Sequence, residues 1–205
     1  GILCVGLPGT IDNDIACTEY TIGYDTAMNT AVQMIDRITD TAQSHDRCSV
    51  VEVMGRGAGY IALNTGIACG ATAILVPEVE YNLDEIAKKM LISKKLGKTH
   101  FIIVVSEGIK ESSENIANRI QEMTGIESRS TILGHVQRGG APTLRDRVVA
   151  SQMGSYAVDL LEQNIGNRVV GMQKNQIVDF DIQEALKMKK EFPIDLYNVA
   201  NEISI

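Results

Sequence analysis

The chain has 205 residues, 44% of them hydrophobic, with six Tyr, three Phe and no Trp, a length and balance that support a core of aliphatic side chains and Met. Its formal net charge of -7 argues against a sequence-blind basic surface for nucleic acid or anionic lipid and leaves Lys and Arg for focused pockets. Cys4, Cys17, Cys48 and Cys69 form no CxxC pair, no apolar run nears the roughly 20 residues of a membrane span, and no charged-then-apolar segment opens the chain; the expectation is no zinc site, no disulfide framework, and a reducing cytoplasm.

Gly1 is followed at once by the apolar run 2–7, which reads as a buried strand already in progress. A longer fold lacking its upstream part is expected, with a processed or engineered start as the alternative. Apolar runs of strand length recur at 2–5, 49–53, 73–76, 101–105, 130–133 and 168–172, separated by helix-like sequence. This alternation predicts an α/β fold with a parallel sheet, whose ligands gather at the carboxyl ends of the strands. Between the first two runs, Tyr24, Met28, Val32, Ile35 and Ile38 recur at steps of three or four, the stripe of an amphipathic helix of about five turns. Further helices are expected over 61–69, 83–95, 113–124 and 142–162, with Gly97 as a helix stop and Pro142 in a first turn. Composition reveals no linker, repeat or domain boundary.

Polar residues that follow the strands are the candidates for chemistry. After the first strand come Gly9, Thr10, Asp12 and Asp14: Asp12 is suited to accept a hydroxyl proton, Asp14 to hold hydrated Mg²⁺, and Thr10 to bond a transferring phosphoryl oxygen. The alternative is a turn in which Asn and Asp side chains bond their own backbone. After the second strand, Met54, Gly55, Arg56, Gly57, Ala58 and Gly59 suggest a dinucleotide-binding turn, but the spacing requires glycine where Tyr60 stands. Arg56 among glycines suits a phosphate grip, or is an ordinary surface arginine. Glu107 after the fourth strand can accept bonds from sugar hydroxyls, and His135 and Arg138 after the fifth can donate to an anion, with Arg47 and Arg129 as further cations.

These residues lie in motifs that resemble the bacterial 6-phosphofructokinases: GLPGTIDND at 6–14, SVVEVMGR at 49–56, VPEVEY at 76–81, LGHVQRGG at 133–140 and DRVVASQMG at 146–154. The likeness runs over essentially the whole chain. It implies a parallel-sheet three-layer sandwich of the phosphofructokinase type with two interleaved domains, the first truncated. Residues 1–23 and 136–186 would be remnants of the ATP-binding domain, and 24–135 with 187–205 the fructose 6-phosphate domain. It further implies transfer of the ATP γ-phosphoryl group to the 1-hydroxyl of fructose 6-phosphate, with Mg²⁺. In that family Asp12 matches the general base, Thr10 the residue beside the transferring group, Asp14 the carboxylate associated with Mg²⁺, and Arg56 the arginine that stabilises transition-state charge. Met54, Gly55, Glu107 and Arg138 match sugar contacts. His135, Arg47 and Arg129 match the 6-phosphate clamp, the two arginines as contributions from a neighbouring subunit, which implies a homotetramer.

Gly9 matches the place where diphosphate-dependent relatives carry a lysine, so it favours ATP; diphosphate use is the alternative, and a non-catalytic sugar-phosphate-binding fragment a second one. Lacking an upstream phosphate loop, the isolated chain is expected to be inactive. At the family's effector positions the chain holds Thr39, Thr72 and Leu96 in place of charged residues, while Lys98 and His100 remain, so weak effector control is expected.

Overall fold

The computed structural model describes residues 1–42 and 46–204, and its contacts divide into two compact units: Gly1–Ala27 with Gly140–Glu191, and Met28–Gly139 with Phe192–Ile205. The division falls at 27/28, 139/140 and 191/192, against the 23/24, 135/136 and 186/187 of the resemblance-based expectation. Among the described residues, no helix is long and apolar enough to cross a membrane.

The second unit is built on four parallel strands, β2 (Cys48–Val53), β3 (Ala73–Leu75), β4 (Phe101–Ser106) and β5 (Ser128–Ile132), in the order β3-β4-β2-β5. Central β4 is buried at every residue, as a parallel strand covered on both faces requires. One face presents Val50, Leu75, Phe101, Ile103 and Val105 to Leu83 and Met90 of α3 (Leu83–Lys95) and to Ile116 and Ile120 of α4 (Ser113–Thr124). Burying each such side chain contributes roughly 1.5–3 kcal/mol. The opposite face carries α2 (Tyr60–Ala68), packed so closely that a Cβ on Gly66 would stand 2.5 Å from Ile74 Cγ1. The unit therefore has helix, sheet and helix layers. Helix ends follow local signals: Asn82 and Ser112 cap α3 and α4 through their side chains, and left-handed Gly125 ends α4. Gly97, at φ 98°, follows the C-cap of α3, as expected.

In the first unit β1 (Val5–Gly6) pairs with β6 (Arg168–Gln173), which pairs with β7 (Gln176–Asp181). Three expectations are corrected here. The run 2–5 is not a buried strand: Ile2 is 92% exposed, and β1 is a two-residue edge strand with a neighbour on one side only. The sheet is not wholly parallel, because β6 and β7 form an antiparallel hairpin turned through Lys174 and Asn175, both at positive φ. Such turns usually carry Asn-Gly, so Lys-Asn gave little warning. Finally, α5 (Leu144–Glu162) starts two residues after Pro142, with Thr143 as its N-cap. The helix α1 (Tyr24–Ala42) has the expected five-turn length.

Candidate active site

The loop after β1 in the first unit is fixed by its own polar residues. Pro8 O accepts from Ile22 N at 2.8 Å, Gly9 bridges Ile22, and Thr10 Oγ1 accepts from Asp12 N at 3.2 Å. Asn13 sits at φ 52°, a region that favours Asn among non-glycine residues. Its amide donates to Glu19 O at 3.1 Å, and its Oδ1 accepts from Thr21 Oγ1 at 3.4 Å. The local side-chain bond to the turn backbone comes from Thr10, and Asn13 reaches forward to residues 19 and 21; the loop holds Asp12 buried and leaves Asp14 exposed.

Residues farther along the chain hold the segment that follows this loop. Asp146 of α5 is buried; it accepts from Tyr20 Oη at 2.5 Å, Gly23 N at 2.8 Å, Thr26 N at 2.9 Å and Thr26 Oγ1. Burial works to raise its pKa, but the bonds from Thr26, Tyr20 and Gly23 prevail and hold it below the ordinary value. Lys190 donates to Thr18 O at 2.8 Å, and burial lowers its pKa to about 8 against the opposing pull of Asp14, Cys17 and Glu19. Among the described residues no group of three or more His, Cys, Asp or Glu is arranged for a metal. An exposed lone carboxylate such as Asp14 suits Mg²⁺, which commonly takes one or two carboxylates together with substrate phosphates.

In the second unit the parallel sheet brings the ends of β2, β4 and β5 to one edge. Gly55 and Arg56 leave β2 at φ 150° and φ 55°, and both donate their backbone N–H to Glu107 Oε1, at 3.1 and 2.5 Å. Met54 N donates to Gln137 Oε1 at 2.8 Å. Gln137 lies in the 3₁₀ helix Gly134–Arg138, where three residues per turn put His135 and Arg138 on the same face. Both are exposed while Gln137 is buried. The structure thus brings Met54, Gly55, Arg56, Glu107, His135 and Arg138 to the carboxyl edge of one sheet.

Arg47 and Arg129 are not at that edge. They stand at the opposite end of the sheet, beside the first residues of β2 and β5. There they share one carboxylate: Arg47 Nε donates to Glu127 Oε2 at 2.9 Å and Arg129 Nε to Glu127 Oε1 at 3.0 Å. The bonds from Arg47 and Arg129 lower the pKa of exposed Glu127 against a smaller opposing effect of burial.

Sequence reasoning missed Glu127, Gln137, Asp146 and Lys190. Asp146 alone carried a local signal, the Thr143-x-x-Asp146 capping pattern at the start of α5. That pattern points the carboxylate back to the helix start, whereas here it bonds residues 20–26.

A parallel α/β unit with glycine turns, carboxylates and cations at the carboxyl ends of its strands belongs to the class of α/β folds whose ligand crevice lies at that edge. The Phosphofructokinase family model matches residues 1–161, and the chain belongs to that family. It is 53% identical over 205 residues to the ATP-dependent 6-phosphofructokinase of Clostridium botulinum (strain Alaska E43 / Type E3), covering 100% of this chain and 64% of the relative. It is 54% identical over 202 residues to the protein of the same name from Thermoanaerobacter sp. (strain X514), covering 98% and 63%. The chain thus spans a little under two thirds of the length of the curated relatives it matches. Among solved structures it is similar to phosphofructokinase from Saccharomyces cerevisiae, with a TM-score of 0.86 and 34% identity over 98% of this chain and 29% of that one.

Proposed function

We propose that the protein carrying this chain is an ATP-dependent 6-phosphofructokinase. It would transfer the γ-phosphoryl group of ATP to the 1-hydroxyl of fructose 6-phosphate, giving fructose 1,6-bisphosphate and ADP. The observation that carries the reading is the carboxyl-edge cluster of the second unit, in which Glu107 binds the turn bearing Arg56 and the His135–Arg138 face lies at the end of the neighbouring strand. The name shared by relatives more than half identical supports it.

In this reading Asp12 takes the proton from the 1-hydroxyl as that oxygen bonds the γ-phosphorus and the bond to the ADP oxygen breaks. Thr10 bonds the transferring group, and Arg56 stabilises its charge. Asp14 would hold Mg²⁺ against the nucleotide phosphates, the metal neutralising their charge when bound. Met54, Gly55, Glu107 and Arg138 hold the sugar, and His135 grips the 6-phosphate. Arg47 and Arg129, at the other end of the sheet, suit contribution to a neighbouring subunit's 6-phosphate, so a homotetramer is part of the proposal, as are a cytoplasmic location and the assignment of the first unit to nucleotide and the second to sugar phosphate. Gly9 favours ATP over diphosphate, because it places no side chain where the resemblance puts the lysine of diphosphate-dependent relatives.

The test is Asp12→Ser in the intact protein with fructose 6-phosphate and either ATP or diphosphate. We expect ATP to be the donor and kcat to fall by about 10² to 10⁴, the usual contribution of general-base catalysis. His135→Ala and Arg129→Ala should mainly raise KM, since they contact a phosphate that does not react. A folded Asp12→Ser enzyme within about threefold of wild-type kcat would remove Asp12 from its role, because even the low end of the general-base range is larger.

A further inference from the structure

Glu107 is unusual for a residue read as a sugar contact, because one of its two oxygens is already occupied. Oε1 accepts both Gly55 N and Arg56 N; no hydrogen bond to Oε2 occurs among the described residues. The turn that it holds is conformationally unfavourable. Arg56 sits at φ 55°, where an L-residue with a long side chain rarely settles. Gly55 at φ 150° is so close to Ala58 that a Cβ would stand 2.5 Å from its carbonyl oxygen.

Two further contacts tie the same turn to the end of β4, and a third bond braces that end itself. Ser106 Oγ donates to Ala58 O at 3.3 Å and accepts from Gly108 N at 3.4 Å. Gly108 lies directly beneath Arg56, where a Cβ would be 2.8 Å from Arg56 O. Two adjacent N–H groups in such a turn form an anion-binding concavity, and here the anion is a side chain from 51 residues away in sequence.

We propose that Glu107 is a positioning residue as well as a ligand contact: Oε1 keeps Arg56 in its left-handed conformation, and so sets where the guanidinium stands, while Oε2 is left for a substrate hydroxyl. Substrate binding and the placement of the charge-stabilising arginine are thereby joined in one carboxylate. This deepens the function proposed above and rests on it for its kinetic consequences, but the backbone link itself does not.

The experiment has two arms. In the first, amide hydrogen exchange at Gly55 and Arg56 is measured by NMR without substrate. Glu107→Ala should accelerate exchange at both amides about tenfold or more, as expected when a local bond that limits opening is lost. Glu107→Gln keeps a carbonyl acceptor and should retain most of the protection; unchanged exchange in Glu107→Ala overturns the proposal. In the second arm, Glu107→Ala in the intact enzyme should lower kcat by about 10², the scale of an ångström-sized misplacement of a catalytic group. Glu107→Gln should recover at least tenfold of that loss while KM stays raised. In an Arg56→Ala background Glu107→Ala should cost kcat less than about threefold more, since residues acting through one another are not additive. A rise in KM with kcat intact, or full additivity with Arg56→Ala, would show a ligand contact alone and refute the positioning role. Should Glu107→Ala not fold, Glu107→Asp, whose shorter side chain draws the carboxylate away from the turn, replaces it in both arms with the same expectations. If no phosphoryl transfer is found at all, the function proposed above fails, while the exchange arm still decides the backbone link.

Discussion

A buried carboxylate that accepts from four donors, as Asp146 does, is held in its charged form by bonds that partial protonation would weaken. Its native pKa is below its ordinary value, so the unfolded chain binds the proton more readily. The stabilisation it provides is complete above the unfolded value, about 3.9, and is lost as pH falls through the lower native one. We expect Asp146→Asn to destabilise the protein by roughly 1–3 kcal/mol at neutral pH, since an amide leaves part of this donor set unmatched. Urea unfolding at a series of pH values should show the difference from wild type shrinking below about pH 4. A constant difference across that range would show that ionisation is not what the donors stabilise. The same residue orders the segment 20–26 behind the Asp12 loop, so its loss should also reach turnover.

Elements here are joined at points that favour glycine, and the glycines differ in why. Gly59 precedes α2; its N–H donates to Glu78 Oε1 at 2.9 Å, and a Cβ would stand 2.5 Å from Val76 Cβ and Cγ1. Gly125 ends α4 at φ 68° with nothing within 4 Å of its would-be Cβ. The first is a packing constraint and the second a conformational one. Gly125→Ala should therefore cost about 1 kcal/mol, the scale of a left-handed L-residue, and leave the rest of the fold alone. Gly59→Ala should cost more, about 1–3 kcal/mol from overpacking, and should also disturb the β3–α2 contact. Thermal or urea denaturation of the two variants ranks them; the reverse order would show that β3 can shift to accept a methyl group.

For the whole molecule, the effector expectation now has structural particulars. Thr39 Oγ1 is bonded to Ile35 O within its own helix at 2.8 Å, Thr72 is buried, and Leu96 is 78% exposed. None of the three supplies a charge. Effector linkage needs a difference in affinity between two conformational states, and these residues provide little from which to build one. In the intact protein, ADP or phosphoenolpyruvate should shift the half-saturating fructose 6-phosphate concentration by less than about threefold, where typical allosteric coupling spans 5- to 150-fold. A larger shift, measured by initial rates across sugar-phosphate concentrations, would show that Lys98, His100 and residues elsewhere suffice.

What could be read from the chain alone was whatever is encoded within a few residues. Helices α3 and α4 were legible to the residue because their caps and apolar periods are local. Strands β2 and β4 were legible as apolar runs because burial on both faces leaves no alternation. Met54, Glu107 and His135 follow β2, β4 and β5, whose parallel pairing puts their carboxyl ends at one edge. Tertiary structure decided the rest, because the relevant partners are distant in sequence and their meeting depends on register. Ile2 looked like core but lies beside an edge strand; Lys174–Asn175 did not announce a hairpin. Arg47 and Arg129 looked like independent cations until strand pairing put Glu127 between them. Glu107 could be placed at a strand end from sequence, but only the pairing of β4 with β2 sets its carboxylate under the N–H groups of Gly55 and Arg56. A side chain's chemistry is written in its own codon, whereas the donors that occupy it are supplied by whichever strand the sheet places alongside.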